Sequence, residues 1–87
     1  MTIYVYARYR RSFSRLGPQL QRLAKQRISL FRQQPFDPKL DTHRLHGKLA
    51  SQWSFSVDSR YRILFEYLDK KKSELVFLDI GDHSLYR

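Results

Sequence analysis

The 87-residue sequence contains no cysteine, so neither a disulfide framework nor a thiolate zinc site is available to it. That excludes the small secreted scaffold and the zinc finger. Acid is scarce: eight Asp and Glu stand against seventeen Lys and Arg, for a net charge of +9. Most of the cations are Arg, whose planar fork suits phosphate, so a polyanionic partner is expected, nucleic acid before all others. No apolar run is long enough for a signal peptide or a membrane span, which points to a cytoplasmic protein without a membrane partner. Binding to an anionic membrane surface usually asks for one amphipathic helix, whereas many aromatic residues here lie in strand-like alternation.

The catalytic motifs of several enzyme classes are missing as well. There is no GxGxxG, no Walker loop and no GxSxG, which leaves nucleotide-dependent transfer and triad hydrolysis without support. His43, His46 and His83 show no metal-ligand spacing such as HExxH, and the only acids beside them are Asp41 and Asp82. Neither a metal nor a cofactor is expected. No repeat, low-complexity tract or linker interrupts the chain, so residues 1–87 are expected to form one domain.

What is present is a folded pattern, with 41% hydrophobic and 29% charged residues, close to ordinary globular usage. From Thr2 to Tyr9 the residues alternate as in a strand, Ile3, Val5 and Ala7 on one side and Tyr4, Tyr6 and Arg8 on the other. A short helix follows over Arg11 to Leu16, with Ser12 as its cap, until Gly17-Pro18 interrupts it. Pro18 suits the first turn of a second helix, whose face is Leu20, Leu23, Ala24, Ile28 and Phe31, with Arg27 intruding, and which ends before Pro35. Phe36 to Gly47 reads as a loop or the frayed start of a strand. Trp53, Phe55 and Val57 alternate with Ser54, Ser56 and Asp58 as a half-buried strand that turns at Asp58-Ser59. Tyr61 to Leu68 and Leu75 to Ile80 are nearly continuous apolar runs, expected as central strands joined by the Asp69–Ser73 loop. The expected fold is α+β: a small single domain of order β-α-α-β-β-β, its helical hairpin packed on one curved antiparallel sheet.

The chemistry open to such a chain uses charge and general acid–base groups alone. RNA offers it, because its own 2′-hydroxyl attacks the adjacent phosphate once a base takes the proton, a cation steadies the phosphorane and an acid protonates the leaving 5′-oxygen. His83 is the candidate proton-transfer group, Arg62 or Arg60 the phosphate clamp, and Tyr86 a stacking or hydrogen-bonding partner for a splayed base. Paired as a hairpin, the last two strands would bring the Arg60–Arg62 end beside the Gly81–His83 end. His43, His46, Arg44 and Lys48 are candidate RNA contacts. Each residue also has a plainer reading. His83 as a surface histidine, Arg60 and Arg62 as a solvated sheet face and Tyr86 as a packed terminus require no activity. His43 and His46 fit an ordinary loop, Trp53 the core, and Lys70 to Lys72 a solubilising turn. The cations of the second helix, Arg22, Lys25, Arg27 and Arg32, fit its wet side.

Four stretches carry a family resemblance. They are Leu45-His46-Gly47-Lys48-Leu49, Trp53-Ser54-Phe55-Ser56-Val57, Tyr61-Arg62-Ile63-Leu64-Phe65, and Asp79-Ile80-Gly81-Asp82-His83 followed by Tyr86. In their order and spacing the chain resembles the RelE/ParE superfamily of bacterial type II toxins over essentially its whole length. It looks most like the RelE/StbE-type branch, with an ending similar to the GTH-x-x-L-aromatic tail of YafQ-like relatives. The resemblance implies a ribosome-dependent endoribonuclease, an mRNA interferase that inhibits translation and is neutralised by a cognate antitoxin in a toxin–antitoxin hetero-oligomer. It also implies an arginine at Arg62, a titratable group at His83 and a terminal aromatic at Tyr86 as the catalytic set. Two alternatives stay open: a ParE-like DNA gyrase inhibitor and a non-catalytic RNA-binding module.

Overall fold

Strand alternation at the start of the chain ends sooner than Tyr9. In the computed structural model, which describes residues 1–82 and residue 85, β1 covers Thr2–Val5 and α1 covers Ala7–Ser14. Tyr9 and Phe13 lie one helical turn apart, their ring centroids 6.0 Å from each other, and Tyr9 also sits 5.3 Å from the ring of Phe77. That packing against a residue nearly seventy positions away overrides the local period-2 pattern. Ser12, expected as a cap, lies within α1, and Tyr6 occupies the capping position without a side-chain bond.

The second helix matches its expectation. α2 runs Pro18–Gln33 with proline in its first turn, and Ala24 and Phe31 are fully buried. Arg27, the polar intruder on its apolar face, donates from Nε to the Val57 carbonyl at 3.2 Å. The segment read as a loop contains more order than expected. A single 3₁₀ turn at Pro38–Leu40 buries Leu40, the two-residue strand β2 forms at His43–Arg44, and another 3₁₀ turn follows at Gly47–Leu49. Asp37 Oδ1 accepts from the Lys39 amide at 2.8 Å, and Asp41 takes a left-handed φ of 47° to leave the first turn.

Three longer strands complete the domain: β3 at Trp53–Ser56, β4 at Arg62–Tyr67 and β5 at Glu74–Gly81. The sheet order is β1-β5-β4-β3-β2. The α+β class and the helical pair are as expected, but the sheet is mixed and not purely antiparallel, because β1 lies parallel to β5. The reason is the connection: two helices carry the chain away from β1 before the antiparallel meander begins, and strand polarity at that edge depends on where the meander ends. Asp58 Oδ1 closes the β3–β4 turn by accepting from the amides of Arg60 at 2.8 Å and Tyr61 at 2.7 Å.

Strand periodicity divides β4 between two clusters. Ile63 and Phe65 face α2 and join Phe31, Phe55 and Phe77 in the main core, while Leu64 joins Val76 and Leu78 on the other face. Phe31 is the centre of the main core, stacked on Phe55 at 4.3 Å and edge-on to Phe65 at 5.1 Å. Among the described residues, no helix is long and apolar enough to cross a membrane.

Phe31→Ala is expected to lower unfolding stability by about 3–5 kcal/mol in urea titration, because a fully buried ring at the centre of the aromatic cluster leaves a cavity. Burial pushes the Tyr9 phenol up from 10.0 to about 12. A raised value means that its contribution is complete below the unfolded value and lost as pH rises through the folded one. Denaturation midpoints should therefore fall between pH 10 and 12, and less steeply in Tyr9→Phe.

Candidate functional site

Alternation along β4 leaves Arg62, Leu64 and Glu66 on the face away from α2. Arg62 stands at the start of the strand, opposite Ser56 on β3 and Gly81 on β5, and its Nη1 donates to Ser56 Oγ. One strand thus anchors the guanidinium while the other brings the end of β5 beside it. Leu85 lies against Gly81. The Leu85 amide donates to the Asp82 carbonyl at 3.1 Å, and a Cβ at position 81 would stand 3.2 Å from Leu85 Cδ2. A side chain there would press on Leu85, which would have to give by a few tenths of an ångström. His83 and Tyr86, the other two members of the expected catalytic set, lie outside the described residues.

The remaining candidates are dispersed. Arg60 sits exposed in the turn before β4, so the shared strand face expected for Arg60 and Arg62 does not form. His43 pairs with Ser54 across β2–β3, which puts it on the Arg62 face of the sheet. Its Nδ1 lies 2.7 Å from the Asp41 carbonyl and is therefore the protonated nitrogen. Arg44 pairs with Trp53 and takes the opposite face, where its Nε donates to the Ala50 carbonyl at 2.6 Å. There it borders a smaller recess with Trp53, Tyr67, Lys70 and Lys72, the Lys72 ammonium 5.6 Å from the Tyr67 ring centre. His46 precedes the 3₁₀ turn that contains Lys48, and both are exposed. Among the described residues no cluster of three or more His, Asp or Glu could hold a metal.

A larger recess, about 570 Å³, opens on the Arg62 face between the start of α1 and the sheet. Leu64 and Leu78 contribute its apolar part, Glu66 and Asp79 its acids, and Arg8 and Arg11 its cations. Sequence reading missed the two arginines because it put Arg8 in a strand. With the helix starting at Ala7, Arg8 and Arg11 fall three apart on one helical face, and that spacing was the available signal. Asp79 enters this recess through a β-bulge. The register passes from Leu64–Asp79 to Phe65–Phe77, so Leu78 is an extra residue, and Ile80 returns to the core at 3% exposure.

Neither a protein-family model nor a curated protein matches the chain by sequence. Solved structures do match by shape. A YoeB/ParE toxin from Agrobacterium tumefaciens superposes with a TM-score of 0.77 at 15% identity, covering 95% of this chain and 99% of that one. YafQ from E. coli gives 0.77 at 14% identity, covering 97% and 94%. The RelBE2 toxin–antitoxin complex of Mycobacterium tuberculosis gives 0.75 at 19% identity, covering 94% and 96%. Identities this low speak for the fold alone, and over nearly the whole chain that fold is the RelE/ParE toxin fold.

Proposed function

We propose that this protein is the toxin of a bacterial type II toxin–antitoxin pair and a metal-independent endoribonuclease acting on ribosome-bound mRNA. The observation that carries the reading is the register of β4 on β5, which sets Arg62 across from Gly81, two residues before His83 in the chain. The toxin fold and the strongly basic composition support it.

In this mechanism Arg62 holds the scissile phosphate and neutralises the charge that grows on its non-bridging oxygens. The 2′-oxygen forms a bond to phosphorus as its proton leaves, and the bond from phosphorus to the 5′-oxygen breaks as that oxygen is protonated. The products are a 2′,3′-cyclic phosphate and a 5′-hydroxyl. His83 moves a proton in one of these two half-steps, solvent water gives or takes the other proton, and Tyr86 stacks on a splayed base. Ser56, by accepting from Arg62, orients the fork that meets the phosphate. Arg60, His43, His46 and Lys48 add attraction for the RNA backbone, and Arg44, on the opposite face of the sheet, adds only its charge to the basic field. The partner that silences the activity is an antitoxin with an acidic segment that folds on this basic surface. Three of the structural neighbours are themselves toxin–antitoxin complexes, from Mycobacterium tuberculosis, E. coli and Pyrococcus horikoshii.

Purified protein added to translating ribosomes should cut mRNA and should leave gyrase supercoiling untouched. Inhibited supercoiling without cleavage would replace the nuclease reading with a gyrase one. Arg62→Ala is expected to slow cleavage on the order of 100-fold, as for loss of one transition-state contact, and a change below threefold would reduce Arg62 to a structural role. His83→Ala should cost about 100-fold or more in rate and flatten the pH profile near neutrality; a wild-type rate would remove His83 from proton transfer.

A further inference from the structure

The recess beside α1 holds two kinds of charge that do not meet. Arg8 and Arg11 on one side and Glu66 and Asp79 on the other form no ion pair with each other, and neither guanidinium has a hydrogen-bond partner among the described residues. Asp79 Oδ1 accepts from the Ile80 amide at 2.8 Å, which fixes one carboxylate oxygen and leaves the second unassigned. Tyr6 borders the same recess with 55% of its surface exposed. An occupant that fits must offer an anion to the guanidinium side, hydrogen-bond donors to the carboxylate side and a flat ring to Tyr6. A nucleotide whose base carries an amino group has all three. An acidic peptide has the anion but would set its carboxylates against Glu66 and Asp79.

Position supports the same occupant. Leu64, which borders the recess, follows Arg62 by two residues on one strand face, a separation of ~6.6 Å. A strand of RNA whose scissile phosphate lies on Arg62 therefore reaches the recess with an adjoining nucleotide. The parallel pairing of β1 with β5 leaves the start of α1 beside the middle of β5, where the Tyr6 amide donates to the Phe77 carbonyl at 3.0 Å.

We propose that this recess is a nucleotide subsite for the RNA flanking the cleavage point. Arg8 and Arg11 hold its phosphate, Tyr6 stacks on its base, and Glu66 and Asp79 accept from the amino group of a cytosine, adenine or guanine in preference to uracil. The proposal rests on the RNA-cleaving reading and deepens it.

The test is fluorescence anisotropy with short, labelled, 2′-O-methylated oligo(C) and oligo(U), which lack the reacting hydroxyl and so report binding alone. Arg8→Gln/Arg11→Gln should weaken oligo(C) binding and make the slope of log affinity against log salt shallower by about 0.7, since the one phosphate held by the pair is lost from a single strand. Tyr6→Ala should cost on the order of tenfold in affinity. Oligo(C) should bind more tightly than oligo(U), and Glu66→Ala should shrink that difference. Because Arg8, Arg11 and Tyr6 are exposed, their replacement spares the core. Wild-type affinity and slope in the double variant would overturn the subsite, as would equal binding of the two oligonucleotides. If the wild-type protein cuts ribosome-bound mRNA while the double variant keeps full RNA binding and loses only binding to an acidic partner protein, the subsite fails alone and the recess belongs to that partner. Wild-type protein that neither binds nor cuts RNA would bring down the nuclease reading together with the subsite.

Discussion

The packing of Phe31 onto the sheet is the constraint on which everything else rests. Its ring fills the space between α2 and the inner face formed by Phe55, Phe65 and Phe77, which commits those three strands to one orientation toward the helix. Once Phe65 points inward, strand periodicity leaves Arg62, Leu64 and Glu66 no choice but the outer face. The candidate site is thus the reverse side of the core. A register slip of one residue would bury Arg62 and expose Phe65, at a cost of several kcal/mol from the aromatic burial alone.

Two departures from regular geometry then shape that outer face. The bulge at Leu78 changes which residues of β5 face inward, sending Ile80 to the core and Asp79 to the recess. Leu85 lies against Gly81, where a side chain would press on it, and packs with Leu64, Val76 and Leu78. A small second cluster therefore backs the open face with apolar contacts, so that the residues around Arg62 stand on a packed sheet and not on a loop.

Much of this was legible locally. The face of α2 from Leu20 to Phe31, the alternation at Trp53, Phe55 and Val57, and the apolar runs of β4 and β5 gave the elements, because their periodicities follow from backbone geometry. The proximity of Arg62 to the end of β5 was also readable, since two strands joined by a short polar loop pair as a hairpin. Less legible was the start of α1: Tyr4, Tyr6 and Arg8 alternate well enough for a strand, and only Phe77, far along the chain, draws Tyr9 into a helix. Arg8 and Arg11 were hidden for the same reason. The two-residue β2 was legible only as one of two readings of its segment, loop or frayed strand start, because its pairing with β3 is supplied by the partner and not by any pattern at His43 and Arg44.

Composition and periodicity by themselves determined the α+β class, a basic surface suited to polyanions and the absence of thiol chemistry, because these depend on residue type and on repeats of two or 3.6. Tertiary structure alone decided that β1 runs parallel to β5, that Asp79 faces a recess while Ile80 is buried, that Arg44 and His43 take opposite faces, and that α1 sets two arginines beside the open sheet. Each of those outcomes depends on contacts between residues distant in sequence, and no local pattern encodes which partner a strand or a helix will meet.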